Sequence, residues 1–548
     1  MEKSIVNQSS TNALRPFVHL HTHTEYSLLD GISKIENLVD KAMADDMPGI
    51  AITDHANMFG IAEFVECVNR KNAERNTNFK PIIGCEVYVA RRGMEHKSER
   101  EDFAGYHLVL LAKNLIGYKN LIKLVSRSWT EGFYGRPRTD KSDLERYHEG
   151  LICTSACIGG EVAQHILNDR LAEAEESAMW YKNLFGEDYY FELHRHIPTV
   201  ERANHNTYKL EQRVNNQLIA LSEKLGIKLI CANDIHFVDE EDAEVQDSLL
   251  CINWGKKADD QNRLIFSKQE WLKTTAEMNE LFGYIPEVLE NTMEICNKTE
   301  HYSITHAPQP PKPTLPEGID EVEHLARLAF DGAYKYFGKP LPIEVKEGLK
   351  AELRVINSHR YAPLVLMWHE IVSAARKLGA KMGNDRGFSR NSLLLYCLGI
   401  SQEKPAEFGN AFCDYLINNQ GLPALELEFD KEGRERVLNW IVERYGELSV
   451  ANIASRNVFT AKTASTGGVQ EEKLVGVLRK MDIHSCGVAI CDGDISELVP
   501  LAWVESAEYE GAIIVTQYGG EALRRIGIPV LYLLTSNRLN ERGKKAKQ

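Results

Sequence analysis

The chain has 548 residues, 43% of them hydrophobic, which is enough for at least two domains with cores of their own. Its formal net charge of −15 argues against nucleic-acid binding through a generally basic surface, although a local basic groove stays open. Eleven Cys occur without paired CxxC motifs, which argues against a disulfide framework and against zinc knuckles.

The N-terminal residues lack the apolar core of a secretion signal. No later segment approaches the ~18 uninterrupted apolar residues of a membrane span. We therefore expect a cytoplasmic protein without a membrane partner.

Short apolar runs alternate with amphipathic stretches over the first 300 residues. The runs predict buried strands at 49–53, 81–90, 106–112, 150–155, 189–193 and 228–234. Helical spacing of apolar residues predicts helices such as 33–46 and 207–226. This alternation predicts a mostly parallel α/β layer or barrel, in which active groups gather at the C-terminal ends of the strands.

A proline-rich stretch at 306–318 resists helix formation and reads as a linker or a surface strap. We predict domains at 15–300 and 319–548, joined by a linker at 301–318. The second domain contains helical stretches, a GNDRGFSRNS loop at 383–392, a short pair of strands and a basic tail.

The strongest local signal is the HLHTH segment at 19–23, followed by Asp30. Alternate residues of a strand face the same side, so His21 and His23, with His19, are predicted to point into one site. Imidazoles arranged in this way suit zinc, manganese or iron. A single HxH pattern is more often incidental than a metal site.

A histidine, an acid or a cysteine recurs at each successive predicted strand. The series continues with TDH at 53–55, GCE at 84–86, His107, Cys157 and NDIH at 233–236. Each residue alone has a structural explanation, such as a helix cap for Asp54 or a buried apolar position for Cys157. Their repetition in order indicates a metal site.

Six motifs carry a family resemblance: HLHTHTEYSLLDG, AITDHANMFG, PIIGCEVYV, HLVLLAKN, SACIGGE and ANDIHFV. In order and spacing they resemble the PHP domain of bacterial C-family replicative DNA polymerases, the DNA polymerase III alpha family. The resemblance implies a PHP-type (β/α) barrel over residues 15–300. It also implies these metal ligands: His21, His23, Asp30, His55, Glu86, His107, Cys157, Asp234 and His236.

The same resemblance implies up to three divalent ions, and the soft Cys157 donor favours zinc over magnesium, with manganese as the other candidate. The implied reaction is phosphodiester hydrolysis on DNA or another nucleic acid, with nucleotides removed from 3′ to 5′. Asp234, His236 and His55 are expected to be catalytic. The alternative is that the metals are structural and only brace the molecule.

The second half resembles the palm of the same polymerase family over residues 300–540. The matching stretches include residues 361–400, 422–429, 436–446, 459–464, 484–501 and 516–539. This resemblance implies an α+β nucleotidyltransferase-like palm, here with only a small helical thumb remnant.

Three carboxylates that hold two magnesium ions in this family are altered. The family's D-x-D pair is replaced by Glu426 and Glu428, which reach one methylene further. The third acid's position, aligned on Gly527, is taken by Tyr532. Because magnesium requires near-ideal octahedral geometry, these changes argue against a magnesium pair in the palm.

The family's phosphate-binding parts survive in pieces. Arg386 and Ser392 match its glycine-rich loop, and Lys462 matches a following lysine, so these three are the candidate phosphate-binding residues. Asp385 brings a negative charge, Phe388 and Arg390 replace small residues, and an expected Arg-Asp pair reads Thr466-Gly467.

The sequence therefore predicts a metal-dependent phosphodiesterase joined to a degenerate palm, in which Glu426 and Glu428 remain as an inactive remnant. Two other functions stay open: an active DNA-directed DNA polymerase, and a non-catalytic accessory subunit that docks on replication or repair proteins.

Overall fold

The computed structural model describes residues 14–260, 262–383, 386–408, 410–464, 472–505, 512–536 and 538–539. The chain forms two compact units. The first takes in the chain to Tyr302 together with Asn457–Lys480, and the second takes in Ser303–Arg456 and the chain from Met481 onward. The predicted boundaries stay a prediction, but segment Asn457–Lys480, which they assign to the second domain, packs with the first unit.

The first unit alternates strands and helices as its sequence pattern predicts. Its strands are β1 (Gly49–Ile52), β2 (Lys80–Ala90), β3 (Gly105–Ala112), β4 (Arg138–Thr139), β5 (Leu151–Thr154), β6 (Tyr189–Leu193) and β7 (Lys228–Cys231). Its helices are α1 (Ile35–Ala44), α2 (Ile61–Arg75), α3 (Leu115–Thr130), α4 (Lys141–Tyr147), α5 (Glu161–Leu167), α6 (Leu171–Phe185), α7 (His205–Leu225), α8 (Ala243–Trp254), α9 (Thr275–Phe282) and α10 (Pro286–Lys298).

These strands form one sheet in the order β1-β2-β3-β5-β6-β7, and β4 pairs with β2. The pairs β1–β2, β5–β6 and β6–β7 are parallel, whereas β3 runs antiparallel to both of its neighbours. Apolar side chains such as Ile82, Val109 and Ile230 fill the core on one face of the sheet. The strands are buried on both faces, which explains their continuous apolar sequences.

The HLHTH segment is extended but is not a regular strand, which corrects the prediction for residues 19–23. Within it only Thr22 forms a β-bridge, to Ile235. On one side the amide of Ala51 donates to the carbonyl of His19 at 2.9 Å, and on the other the amide of His23 donates to the carbonyl of Ile235 at 2.7 Å. Backbone pairing thus links β1 to the chain beyond β7 and continues the barrel, in agreement with the PHP-type fold.

The second unit combines helices with a mixed sheet. Its helices are α11 (Glu321–Phe337), α12 (Ile343–Ser358), α13 (Ala362–Lys377), α14 (Leu393–Cys397), α15 (Asn410–Asn418), α16 (Lys431–Tyr445) and α18 (Gly520–Arg525), while α17 (Ala461–Ala464) lies in the segment that packs with the first unit. Its strands are β8 (Leu425–Phe429), β9 (Val450–Val458), β10 (Leu478–Ile490), β11 (Leu501–Glu505), β12 (Ala512–Thr516) and β13 (Val530–Thr535).

The sheet order is β11-β12-β9-β10-β13-β8, so β8 lies at one edge beside β13, to which it is parallel. The core contains Trp368 of α13, Phe429 of β8 and Leu531 of β13. The proline-rich stretch forms no helix or strand; it lies as a strap on this unit, where the amide of His306 donates to the carbonyl of Ile526 at 2.8 Å. None of the described helices is long and apolar enough to cross a membrane.

Candidate metal centre

The predicted ligands come together at one end of the first unit's sheet. His55 follows β1, Glu86 lies in β2 and His107 in β3. Cys157 follows β5, and Asp234 and His236 follow β7. His21 and His23 enter from the extended segment, and Asp30 enters from the turn after it. Every one of the nine has a contact with another member of the set, so they form one continuous cluster.

Glu86 is the centre of the cluster. Its carboxylate is fully buried and is surrounded by four imidazoles from three segments of the chain. The distances to its oxygens are 2.7 Å from His55 Nδ1, 2.8 Å from His107 Nδ1, 3.4 Å from His21 Nε2 and 3.5 Å from His23 Nε2. A carboxylate shared in this way is suited to bridge two cations.

Asp234 is the second shared carboxylate. Its Oδ1 lies 3.1 Å from Nε2 of His23, 3.3 Å from Nε2 of His21 and 3.8 Å from Nδ1 of His236. The amide of Ile235 donates to the carbonyl of His21, which holds the two segments in register. Asp234, which follows β7, and Glu86, which lies in β2, therefore both contact the imidazoles of His21 and His23.

The remaining ligands occupy the edge of the cluster. Asp30 Oδ2 lies 3.2 Å from His55 Nε2 and 3.9 Å from His236 Nε2. Cys157 Sγ lies 3.6 Å from His107 Nδ1 and 3.8 Å from Glu86 Oε1. Sulfur and imidazole donors combined with carboxylates are the donor set that zinc and related transition metals prefer.

Buried atoms without hydrogen-bond partners support a cation at this place. Among the described residues, such atoms include Nε2 of His21, His23 and His236, Nδ1 of His55, and a carboxylate oxygen each of Asp30, Glu86 and Asp234. Some of them lie close together, such as Nδ1 of His55 and Oε2 of Glu86 at 2.7 Å, but without the geometry of a hydrogen bond. Buried polar atoms are normally paired, and each unpaired one costs about 1–3 kcal/mol. The unpaired atoms converge on the space between the ligands, so these residues fit bound divalent ions.

The histidines are oriented by contacts on their other ring nitrogen. Nδ1 of His21 lies 2.9 Å from Glu192 Oε2, Nδ1 of His23 lies 2.8 Å from Ser27 Oγ, and Nδ1 of His236 lies 2.8 Å from the carbonyl of Asp234. A hydrogen bond at Nδ1 fixes the ring and leaves Nε2 as the ligand atom, as in many metal sites.

Burial and charge determine the protonation of the cluster. Burial raises the pKa of Glu86, but the imidazoles of His107, His55 and His21 lower it more, and it lies well below its usual value. Burial, followed by His55 and His236, lowers the pKa of His23 to about 3, so this ring is neutral, the form that binds metals.

The thiol of Cys157 behaves differently from the carboxylates. Burial raises its pKa well above the usual value, and the charges of Asp234 and Glu86 add to the effect. The thiol therefore stays protonated until a cation offsets the neighbouring carboxylates.

Backbone strain accompanies the ligands. Asp234 has a φ of 44°, Ala56, which follows His55, has a φ of 46°, and Ala156, which precedes Cys157, has a φ of 56°. Left-handed conformations cost free energy for residues with a Cβ and persist where the surroundings impose them, often at functional sites. Here the strained residues are a ligand, Asp234, and the neighbours of two others, His55 and Cys157.

Three further polar residues beside the cluster, Glu192, His194 and His196, were missed by the sequence analysis, as was Glu211, which pairs with His196. Buried Glu192 contacts His21 and also lies 2.9 Å from Nε2 of His194, and His196 lies 2.6 Å from Glu211. The alternating E-x-H-x-H pattern at the end of β6 could have revealed them. His19, which was expected to join the site, instead pairs its Nε2 with the carbonyl of Lys273 at 2.7 Å.

In the second unit, the polymerase remnant lies on β8. Glu426 and Glu428 alternate with buried Leu425 and Leu427 and face the same side of the strand. The register of β13 against β8 places Tyr532 directly beside Glu426. A tyrosine thus occupies the strand position beside Glu426, where the aligned sequence has lost its third carboxylate.

The candidate phosphate-binding residues are engaged elsewhere. Arg386 pairs with Glu428 at 2.9 Å. Ser392 is fully buried, donates to Glu352 at 2.7 Å and caps α14. Lys462 belongs to the segment that packs with the first unit. Asp385, Thr466 and Gly467 lie outside the described residues.

Phe388 belongs to an aromatic cluster of the second unit. Its ring stacks on Tyr415 with centroids 4.7 Å apart, and the ring of Phe412 lies 5.9 Å away. Arg390 pairs with Glu403 at 2.9 Å. In the described part of the loop, from residue 386 onward, these side chains are therefore held by contacts within the second unit.

Comparison with known proteins covers both units. A family described as PHP domain matches residues 19–196, and one described as bacterial DNA polymerase III alpha NTPase domain matches residues 323–469. DNA polymerase III subunit alpha of Borreliella burgdorferi is 40% identical over 448 residues, which are 80% of this chain and 37% of that protein. The same subunit of Campylobacter jejuni is 33% identical over 519 residues, or 88% and 40% of the two chains.

The chain thus spans about two fifths of the length of the curated relatives it matches. Among solved structures, histidinol phosphate phosphatase of Lactococcus lactis, in complex with zinc, L-histidinol and phosphate, is 14% identical. The match covers 47% of this chain and 99% of that one, with a TM-score of 0.21.

Proposed function

We propose that the first unit of this chain, which contains the match to the PHP domain, hydrolyses phosphodiester bonds of nucleic acid. It removes nucleotides from the 3′ end and depends on divalent metal ions. The second unit contains most of the match to the bacterial DNA polymerase III alpha NTPase domain. This second unit does not polymerise nucleotides. Partners of the chain are a nucleic-acid substrate and replication or repair proteins.

One observation carries the proposal for the first unit. Buried nitrogen and oxygen atoms of His21, His23, His55, Glu86 and Asp234 lack hydrogen bonds. Ligand atoms of His21, His23 and Glu86 lie within 4.8 Å of one another, as do those of His23, His55 and His236. Neither a hydrophobic core nor a hydrogen-bonded polar network leaves so many ligand atoms unsatisfied in one place. A cluster of cations is the partner that satisfies them together.

Up to three ions have ligand groups here, with Glu86 and Asp234 as the shared carboxylates. Zinc or manganese suits the imidazole and thiol donors. Divalent ions at such a centre bind phosphate oxygens and lower the pKa of water to near neutrality. The ligand residues form several overlapping groups, such as His21, His23 and Glu86, and His55, Glu86 and His107. Separate groups of this kind can hold ions at more than one position.

The substrate approaches from the edge of the cluster that solvent reaches. The side chains of His107 and Asp30 are 27% and 23% exposed, whereas those of His21 and His23 are fully buried. His55 and Asp234 lie between these two groups, and His236 packs against His23 with ring centroids 4.4 Å apart. His55 and Asp234, with side chains 15% and 18% exposed, are therefore proposed to contact the reacting phosphate directly, and His236, whose side chain is 3% exposed, is proposed to act from behind them.

For the second unit, the contacts of the remnant argue against polymerisation. Two magnesium ions need three carboxylates with open coordination positions, but Glu428 is paired with Arg386, and Tyr532 stands beside Glu426. An arginine paired with one of the two acids also competes with any cation there.

Incubation of labelled single-stranded oligonucleotides with the full chain tests the proposal. With added zinc or manganese we expect stepwise shortening from the 3′ end. Asp234→Asn should reduce the rate by at least ~100-fold, since a shared metal ligand is lost. Asp169→Asn, at an exposed aspartate outside the centre, serves as the matched control. Hydrolysis that survives chelation of the metals or the Asp234→Asn change would overturn the proposal.

A further inference from the structure

A loop beside the metal centre presents a cation and aromatic rings to solvent. We call residues 131–137, between α3 and β4, the rim loop. It is tied to the centre at two points. The indole Nε1 of Trp129, just before the loop, donates to the carbonyl of Ala56 at 2.7 Å, and Ala56 follows the ligand His55. Arg136, within the loop, contacts Tyr88.

Tyr88 connects Arg136 to the ligands. Its ring lies 5.1 Å from that of His107 and 5.8 Å from that of His55, measured between centroids. Nη1 of Arg136 donates to the Tyr88 hydroxyl at 3.0 Å, and the guanidinium carbon lies 5.2 Å from the ring centroid. The guanidinium is therefore held one side chain away from the metal ligands.

Arg136 has no carboxylate partner among the described residues, whereas other arginines of this region are paired or buried. Arg92 pairs with Asp102, and Arg127 pairs with Asp143. Arg138 is fully buried and donates to backbone carbonyls such as that of Gly132. Arg136 is exposed and keeps its remaining donors available. A planar guanidinium with free donors binds phosphate oxygens in a bidentate manner.

Exposed aromatic rings flank this arginine. Phe133 is 43% exposed, and its ring stacks on Trp129 at 5.8 Å and 24°. Phe103 is 53% exposed and covers Gly135, whose φ of 71° and lack of a Cβ allow the ring to lie against the turn. Exposed rings with one face open are the stacking platforms used by proteins that bind single-stranded nucleic acid.

We infer that the rim loop binds a single-stranded segment of the nucleic acid next to the phosphate in the metal centre. Arg136 binds a neighbouring backbone phosphate, and Phe133 stacks on an unpaired base. The inference rests on the proposed function of the same centre and names its substrate class. A duplex cannot use this surface fully, because its bases are stacked on one another and present no open face to Phe133.

Binding without hydrolysis tests the inference directly. A fluorescein-labelled oligothymidylate with phosphorothioate linkages is titrated with the full chain in the presence of zinc, and fluorescence anisotropy gives Kd. We expect Arg136→Ala and Phe133→Ala each to raise Kd about tenfold. Arg136→Gln, which keeps the length and polarity of the side chain without the charge, should behave as Arg136→Ala does.

Arg146→Ala is the matched control. Arg146 is also exposed and also lies over a tyrosine ring, that of Tyr147, at 5.9 Å, but it pairs with Asp143 and belongs to α4. Its Kd should equal that of the parent chain. Affinity of a blunt duplex of the same length should be unaffected by Phe133→Ala.

The outcomes separate this inference from the proposed function. Equal Kd values for the parent chain and for the Arg136 and Phe133 variants would overturn the inference, even if the chain hydrolyses oligonucleotides. An equal loss for duplex and single strand in Phe133→Ala would also overturn it. If the two variants lose binding but no metal-dependent hydrolysis occurs, the binding surface stands and the proposed function fails.

Discussion

At the scale of single residues, the metal centre depends on side chains that orient other side chains. Glu192 holds Nδ1 of His21 at 2.9 Å, and its own position is fixed by Thr154 and by His194 at 2.9 Å. Burial raises the pKa of Glu192, but the histidines lower it more, to about 2, so the carboxylate stays charged. A charged acceptor at Nδ1 makes Nε2 of His21 a better donor to a cation.

The second unit contains a buried acid with the opposite tendency. Glu352 of α12 is fully buried and has no cationic partner among the described residues. It accepts from Ser392 Oγ and from the amides of Leu393 and Leu394. Burial raises its pKa to about 7, although these donors lower it in part. The desolvation of the charged form outweighs the three hydrogen bonds.

This pKa gives a prediction for stability against pH. Because the folded-state pKa lies above the ordinary value of 4.5, the contribution of Glu352 is complete below about pH 4.5 and is lost as the pH rises to about 7. The loss is on the order of 3 kcal/mol. Glu352→Gln should remove this pH dependence in denaturant unfolding between pH 5 and 8. Glu344→Gln, at an exposed residue of the same helix, should keep the pH dependence. If the unfolding free energy changed equally with pH in the parent chain and in both variants, the prediction would be contradicted.

At the scale of secondary-structure elements, segment Asn457–Lys480 belongs to the first unit, although it follows most of the second unit in the sequence. Phe459 packs with Val245 and Leu249 of α8 and with Leu474 and Val477. The amide of Leu478 donates to Glu25 at 2.7 Å. The buried ring of Phe459 and the buried carboxylate of Glu25 thus attach the segment to the rest of the first unit.

We expect Phe459→Ala to lower the free energy of unfolding of the chain by about 3–5 kcal/mol, because it leaves a cavity among buried side chains. Val458→Ala, at the neighbouring residue, whose side chain is 37% exposed, should change it by less than about 0.5 kcal/mol. Urea unfolding followed by tryptophan fluorescence measures both. Similar small effects in the two variants would show that the segment contributes little.

Strands β8 and β13 carry the other prediction at this scale. Restoring aspartates with Glu426→Asp/Glu428→Asp should not produce polymerase activity. Position 428 would still face Arg386, and Tyr532 would still stand beside position 426. Electrostatic stabilisation of this reaction requires all groups in place beforehand.

Extension of a primed template with magnesium, for the variant beside the parent chain, measures this outcome. Template-dependent incorporation by the variant would show that the two aspartates suffice. Incorporation by the parent chain would show that the palm is active as it stands.

At the scale of the whole molecule, bound metal is expected to stabilise the folded chain. Without metal, folding buries a cluster of metal-binding atoms that have no partner. Metal that binds only the folded chain stabilises it by mass action, by about 2.7 kcal/mol when the free metal concentration is 100 times Kd. Removal of metal with a chelator should therefore lower the thermal midpoint, and added zinc should restore it.

His21→Ala/His23→Ala should abolish this response and reduce the metal content found by elemental analysis. His96→Ala/His205→Ala, a double change at exposed histidines, should preserve both. Unchanged metal stoichiometry in the His21/His23 variant would remove the basis for the metal centre.

The sequence by itself determined the α/β class of the first unit and the order of the candidate ligands. Both are local signals, since an apolar run buries a strand and a polar residue at its end can only lie at the sheet edge. His55, Cys157, Asp234 and His236 follow this rule, whereas Glu86 and His107 lie within β2 and β3 themselves.

Only the tertiary structure decided which residues contact one another across the chain. In the fold, Glu192 contacts His21, and His19 contacts the carbonyl of Lys273 rather than the metal centre. Arg386 pairs with Glu428, and Phe459 packs in the first unit. These contacts join segments that are tens or hundreds of residues apart. Periodicity records which face of an element is buried, but the partner of that face is set by packing and hydrogen-bond satisfaction over the whole fold.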